Sequence, residues 1–215
     1  MNILSVTPLA LNDVKVIRAE KFYDDRGYFT ETYRKSDLQD VIGKEIVQAN
    51  ECYSKPNVIR GLHFQLSSIV ASGYMGKLVR PLQGSMVELI LDIRISSPTF
   101  GMIIAYEMRT YSEALFFEWL WVPPGFAHGY FVSPQSSYFV TSPSGTLIEY
   151  FCTGEYDSKS EFTISPLSYD IDWSLCDSAL KQRFADFTNG EHIMSKKDQE
   201  GLSVQSWKDF ITSNP

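Results

Sequence analysis

The sequence predicts a mainly β protein, an antiparallel sandwich or barrel with short helices near its C-terminus. Three observations carry that expectation. Short apolar or alternating runs recur at close spacing through the first four-fifths of the 215 residues, turn residues separate them, and no helical stretch of crossover length lies between them.

The expected strands are Val14 to Val16, the alternation through Tyr28, Thr30 and Thr32, Gly76 to Leu82, Met86 to Ile93, Met102 to Met108, and Tyr138 to Thr141. Gly84, Ser96-Ser97-Pro98, Pro123-Pro124-Gly125 and Ser142-Pro143-Ser144-Gly145 supply the turns. The run from Met86 to Ile93 is the most informative. Alternation places Val87, Leu89, Leu91 and Ile93 on one face and Met86, Glu88, Ile90 and Asp92 on the other. The second face, otherwise apolar, thus carries two carboxylates, which spacing alone reads either as a solvated or ion-paired surface or as a polar cavity inside the fold. Near the end, Asp177 is placed to cap a helix carrying Leu180, Phe184 and Phe187, and a second short helix holds Val204, Trp207 and Ile211. No linker rich in Gly, Ser or Pro precedes them. Residues 1–215 are therefore expected to form one domain whose helical cover spans about 177–212.

Composition narrows the function classes. Apolar residues make up 44% and charged residues 21%, which is a globular rather than a disordered balance. Nineteen Lys and Arg against 26 Asp and Glu give a net charge of −7 without a basic cluster, which argues against nucleic-acid binding. Cys52, Cys152 and Cys176 show no CxxC spacing, and the N-terminus lacks a basic region ahead of its apolar stretch, so a cytoplasmic location is expected. Leu115 to Val132 is interrupted by Glu118, Pro123-Pro124 and His128 and does not read as a membrane helix.

Two of the three histidines have unusual neighbours: His63 in VIRGLHFQ and His128 in PPGFAHGY. Gly and large apolar residues flank both, a setting that keeps an imidazole poorly solvated, neutral and able to accept a proton; a lone histidine of this kind is also read as a core residue bonded to backbone. HxH, HxxxH and HExxH spacings are absent, as are GxSxG, Walker and GxGxxG patterns.

The blocks DDRGYFTETY, VIRGLHFQ, GKLVRPLQG, LDIRISSPTFG, VPPGFAHGYFV, EYFCTGEYDSKSE and SKKD, in this order from about residue 22 to 198, resemble the dTDP-4-dehydrorhamnose 3,5-epimerase family. The resemblance implies a cupin-like jelly-roll fold, a homodimer formed by exchanged N-terminal strands, no cofactor or metal, and a nucleotide-diphosphate sugar as substrate. It further implies that His63 is the catalytic base, Asp198 its orienting carboxylate, Tyr150 the acid on the opposite face of the sugar, and Lys77 the cation beside the enolate oxygen. Arg26, Glu31, Gln48, Asn50, Arg60, His128, Glu161 and Lys197 fall at substrate-contacting positions of the pattern, with Arg26, Arg60 and Lys197 suited to a diphosphate.

The expected reaction is inversion at C3 and C5 of dTDP-4-dehydro-6-deoxy-D-glucose through an enolate. The alternatives are inversion at one carbon only, or a GDP- or other nucleotide-linked sugar such as a heptose. A non-catalytic sugar-nucleotide binding cupin and a metal-dependent cupin are the rival classes. The chain departs from the pattern at Glu88, where Asp is usual, at Ala49 and at Phe151, and it is longer around Ser67 to Met75, Arg109 to Trp119, Pro134 to Leu147 and between Trp173 and Ser195.

Overall fold

The computed structural model describes residues 1–66, 74–110, 114–133 and 145–214. Thirteen strands are named among them: β1 (Ile3–Pro8), β2 (Lys15–Glu20), β3 (Phe22–Asp24), β4 (Gly27–Phe29), β5 (Gln48–Ser54), β6 (Ile59–Gln65), β7 (Lys77–Gln83), β8 (Ser85–Asp92), β9 (Ile103–Arg109), β10 (Phe116–Val122), β11 (Phe126–Phe131), β12 (Thr146–Cys152) and β13 (Glu161–Thr163). Four helices accompany them: α1 (Lys35–Ile42), α2 (Ser178–Asn189), α3 (Lys196–Gln199) and α4 (Val204–Ser213). A six-stranded sheet runs in the order β1-β2-β10-β7-β12-β5 and a five-stranded sheet in the order β13-β6-β11-β8-β9, with β3 and β4 forming a separate hairpin. Neighbouring strands are antiparallel. The expected antiparallel β architecture is therefore present as a sandwich; among the described residues the sheets keep open edges and do not close into a barrel.

Burial on both faces explains why β8 is mostly apolar, with Ser85, Glu88 and Asp92 its polar residues. Met86 and Ile90 meet Val79, Leu120 and Ile148 of the facing sheet, whereas Val87, Leu89 and Leu91 pack outward against Phe184 of α2 and Val204 and Trp207 of α4. A strand covered on both sides needs no polar face. Trp207 is fully buried and donates from Nε1 to the Ile93 carbonyl at 3.2 Å, so its polar edge is satisfied as its rings fill the layer. The Asp177 carboxylate accepts from the N–H groups of Ala179 and Leu180, both at 3.0 Å, which starts α2 where the sequence places a cap.

Two expectations change. The first four-fifths does contain a helix, α1, with only Leu38 and Ile42 buried; its apolar signal is faint, and packing against Leu78, Trp119 and Phe151 on the outer face of the six-stranded sheet stabilises it. The alternation through Thr30 and Thr32 ends as a strand at Phe29, because Thr30 Oγ1 turns away to donate to the Glu20 carbonyl. The strand expected at Tyr138 to Thr141 and the turn through Ser144 lie outside the described residues.

The crossing of β6 and β11 positions the site. His63 lies opposite His128 and Arg60 opposite Tyr130, so two residues of β6, Gly61 and Leu62, lie against one of β11, Gly129. The extra residue is a bulge that brings Arg60 and His63, otherwise on opposite faces, to the same side of the sheet. Gly61 and Gly129 make the approach possible. A Cβ on Gly129 would lie 2.2 Å from the Arg60 carbonyl oxygen, and one on Gly61, whose φ is +114°, 2.6 Å from the Gly129 Cα. Gly129→Ala is thus expected to push the strands apart and destabilise the protein by about 1–3 kcal/mol, visible as a fall of several degrees in a thermal melt; an unchanged melting temperature would show that the strands separate without cost.

Candidate active site

Side chains from both sheets meet in a hollow of about 310 Å³. The six-stranded sheet contributes Lys77 from β7, Gln48 and Asn50 from β5, and Tyr150 and Cys152 from β12; the five-stranded sheet contributes His63 and Gln65 from β6 and Glu161 from β13. Register fixes this grouping, since Tyr150 pairs with Asn50, and Cys152 with both Gln48 and Lys77. Alternation then turns each of these side chains toward the facing sheet.

His63 Nε2 lies 2.6 Å from Asp198 Oδ1. Asp198 sits on α3, whose first turn is capped by Ser195 Oγ accepting from the Asp198 N–H at 3.1 Å; its Oδ2 accepts from the Gly61 N–H at 3.4 Å. Burial acts to raise the carboxyl pKa, but the hydrogen bonds from His63, Gly61 and Ser195 outweigh it and hold Asp198 below the usual carboxylate range. The group is an anion aligned with one imidazole nitrogen, and the ring is held with its other edge available.

Lys77 faces these groups from the opposite sheet. Burial pushes its ammonium pKa down, against the attraction of Cys152, Glu161 and Glu88. Its Nζ stands 5.7 Å from the centroid of the Tyr150 ring and has no hydrogen bond or ion pair among the described residues. An ammonium so placed can serve an oxyanion. Burial also raises the Tyr150 phenol, with Cys152, Cys52 and Glu161 adding to the rise and Arg60 opposing it, so the phenol keeps its proton at neutral pH.

Of the residues singled out from sequence, His63, Lys77, Tyr150, Gln48, Asn50 and Glu161 line the hollow. Asp198 backs His63, and Lys197 pairs with Glu161. His128 lies buried beside His63, with Nδ1 3.2 Å from Glu88 Oε2. Arg60 donates from Nε to Ser54 Oγ at 2.9 Å, and that hydroxyl meets the Tyr130 hydroxyl at 2.8 Å. Arg26 and Glu31 are elsewhere: Arg26 is 89% exposed and paired with Asp24, and Glu31 is paired with Arg34.

The two carboxylates of β8 part company. Asp92 is enclosed by Arg94, Ser97 and Thr99, a structural ion pair, whereas Glu88 faces His128. Gln65 and Cys152 were readable as neighbours two residues from His63 and Tyr150 on the same strand faces, while Met75 and Tyr156 carried no sequence signal. Gln65 donates to the Glu155 carbonyl and accepts from the Asp157 N–H, fixing the rim segment that carries Tyr156. Among the described residues, no group of three His, Cys, Asp or Glu is arranged to hold a metal.

A family model described as dTDP-4-dehydrorhamnose 3,5-epimerase matches residues 8–206. The chain is 37% identical over 155 residues to the dTDP-4-dehydrorhamnose 3,5-epimerase of Sinorhizobium fredii, covering 71% of each, and 30% identical over 200 residues to that of Pseudomonas aeruginosa, covering 92% of this chain and 94% of the relative. Its structure is similar to that of dTDP-6-deoxy-D-glucose-3,5-epimerase from Legionella pneumophila in complex with dTDP-4-keto-L-rhamnose, with a TM-score of 0.73 at 28% identity over 94% of this chain and 93% of that one.

The depressed Asp198 carboxyl gives a pH-dependent expectation. Its folded pKa lies below the unfolded value near ~3.9, so its stabilisation is fully present above that value and is lost as pH falls through the folded value. Asp198→Asn should cost about 1–3 kcal/mol at neutral pH, and its stability should begin to converge on the original protein's only below pH ~4, meeting it once pH has fallen through the depressed folded value. Denaturant melts at several pH values check this; a gap that persists undiminished into acid would contradict it.

Proposed function

The chain belongs to the dTDP-4-dehydrorhamnose 3,5-epimerase family, and on that premise we propose that it converts dTDP-4-dehydro-6-deoxy-D-glucose into dTDP-4-dehydro-L-rhamnose. It is an isomerase, and its reaction inverts C3 and C5 of a dTDP-linked keto sugar. The observation that carries the reading is the placement of His63 and Tyr150 on opposite sheets of one hollow with the Lys77 ammonium beside them. Inversion at a carbon next to a ketone needs those elements: a base on one face, a proton donor on the other, and positive charge near the oxygen where the enolate's electrons collect.

In this reading His63 removes the proton from the carbon, and the ionised Asp198 stabilises the imidazolium that results. Lys77 bears the enolate oxygen through the same step. Tyr150 then returns a proton from the facing sheet. The second carbon follows the same sequence after the ring reorients and solvent water has taken the proton from His63 and restored that of Tyr150. Gln48 and Asn50 supply amide groups along one wall, and Arg60 and Lys197 supply cations for the diphosphate.

Arg26 and Glu31 belong to this site only if a second copy brings them. The β3–β4 hairpin presents Phe22, Tyr28 and Phe29 to solvent, with Phe29 67% exposed, in a protein whose β1 and β5 are sheet edges. A homodimer in which the N-terminal hairpin of one copy lies against the other covers these aromatic rings and carries Arg26 to the partner's hollow. Sedimentation at micromolar concentration should give a dimer, and Arg26→Ala should raise KM by about tenfold; a monomer with full activity would remove both the pairing and the role of Arg26.

Incubation with the dTDP-linked 4-keto sugar in D₂O should place deuterium at both C3 and C5. His63→Ala should slow that exchange by about 10²–10⁴-fold while dTDP affinity is kept. Deuterium at C3 alone would establish a single-carbon epimerase, and exchange only with a GDP-linked sugar would reassign the nucleotide.

A further inference from the structure

Among the described residues, Glu88 is a buried titratable group without a part in this scheme. Glu88 points from β8 into the sandwich with no exposed surface; its Oε2 is 3.2 Å from His128 Nδ1, and its Oε1 has no hydrogen-bond partner among the described residues. Neither Lys nor Arg ion-pairs with it among the described residues. An ionised carboxylate in that position would be a buried charge with one oxygen uncompensated, an expensive arrangement that a neutral acid avoids. Burial accordingly pushes Glu88 well above the ordinary carboxylate range despite the pull of Lys77, and burial, together with Lys77 and His63, pushes His128 well below the ordinary imidazole.

We propose that Glu88 is a positioning residue whose carboxylic O–H donates to Nδ1 of His128, fixing that imidazole as the Nε2–H tautomer and making it a neutral hydrogen-bond donor beside His63. Direction and location make this consequential. His128 is the cross-strand partner of His63, so the two rings stand side by side on adjacent strands. His128 Nε2 has no hydrogen-bond partner among the described residues, so it is free to donate beside His63. A cationic His128 would repel the imidazolium that forms on His63; a neutral donor assists an oxygen of the bound sugar without that penalty. Two carboxyl–imidazole pairs thus sit next to each other in opposite protonation states: Asp198 is ionised behind His63, and Glu88 is neutral behind His128.

The mechanistic benefit rests on the reading of His63 as base, but the tautomer does not, and the experiment separates them. The chain has three histidines, so long-range ¹H–¹⁵N spectra of the full-length protein labelled at histidine are simple to assign. His128 should show the Nε2–H tautomer near neutral pH. Glu88→Leu, which keeps the volume and removes the donor, should mix the tautomers and lower kcat about tenfold with KM nearly unchanged. Glu88→Gln, whose amide still donates to Nδ1, should restore the tautomer and recover part of the lost rate. An Nδ1–H or imidazolium signal in the original protein, or a Glu88→Leu protein with the same tautomer and turnover, overturns the proposal. If Glu88→Leu does not fold, the spectrum of the original protein and of Glu88→Gln still decides. Absence of turnover in every form, with the Nε2–H tautomer intact, would instead count against the epimerase reading.

Discussion

The carboxylate of Asp198 is the point through which the C-terminal helical segment and the sandwich act as one site. It is nearly inaccessible to solvent, so it tolerates its charge only because three groups from different parts of the chain donate to it or hold it: His63 and Gly61 on β6, and Ser195 at the start of α3. Removing any of them leaves a buried anion short of partners, which costs far more than the net worth of an ordinary hydrogen bond. The same contacts restrict the imidazole to one orientation. Positional precision of the base and docking of the C-terminal segment are therefore a single physical requirement.

A second requirement sits beneath it. His63 reaches Asp198 on one side and stands beside His128 on the other only because β6 and β11 approach at Gly61 and Gly129 more closely than any Cβ permits, and because the bulge realigns the faces of β6. The charges of the hollow are distributed around this crossing with consistent logic. The Asp198 carboxylate lies behind His63, the Lys77 ammonium stands on the facing sheet, and burial shifts Glu88, His128 and Tyr150 toward their neutral forms. A low-dielectric interior lets one ammonium act strongly, and that same property forbids additional uncompensated charges.

Much of this was legible in the chain because strands translate sequence spacing directly into facing. The alternation of Met86 to Ile93 anticipated both packing faces of β8, and Asp177 anticipated the start of α2. Motif blocks singled out His63, Lys77, Tyr150 and Asp198; the fold brings the first three to one hollow and sets Asp198 behind His63, although 135 positions separate those two and no periodicity relates them. What stayed hidden depends on context rather than pattern. α1 has two buried positions and is stabilised by its sheet, Tyr156 enters the hollow because Gln65 pins its loop, and the difference between Asp92 and Glu88 is a matter of neighbours: Arg94, two residues from Asp92, provides a cation that Glu88 lacks. The sequence analysis treated the two carboxylates as one kind of feature, whereas burial with and without a cation makes them opposites.

An acidic protein handling a nucleotide diphosphate raises a question of charge that the geometry answers locally. The net charge of −7 is spread over the whole surface and is screened within about 10 Å at ordinary ionic strength. The cations near the hollow are, moreover, only loosely committed. Lys197 is paired with Glu161 but half exposed, and such a pair is worth about 0–1 kcal/mol; a phosphate can displace Glu161 as its partner at little cost. Arg60 is held through Nε by a neutral hydroxyl, with its remaining guanidinium N–H groups available except for one long contact to the Tyr53 carbonyl. Lys77 is different in kind, since burial has already lowered its hold on a proton and no anion pairs with it among the described residues. Peripheral cations that exchange partners easily suit a nucleotide sugar that must bind and then depart intact, and a buried cation unpaired among the described residues suits a charge that exists only during such a reaction.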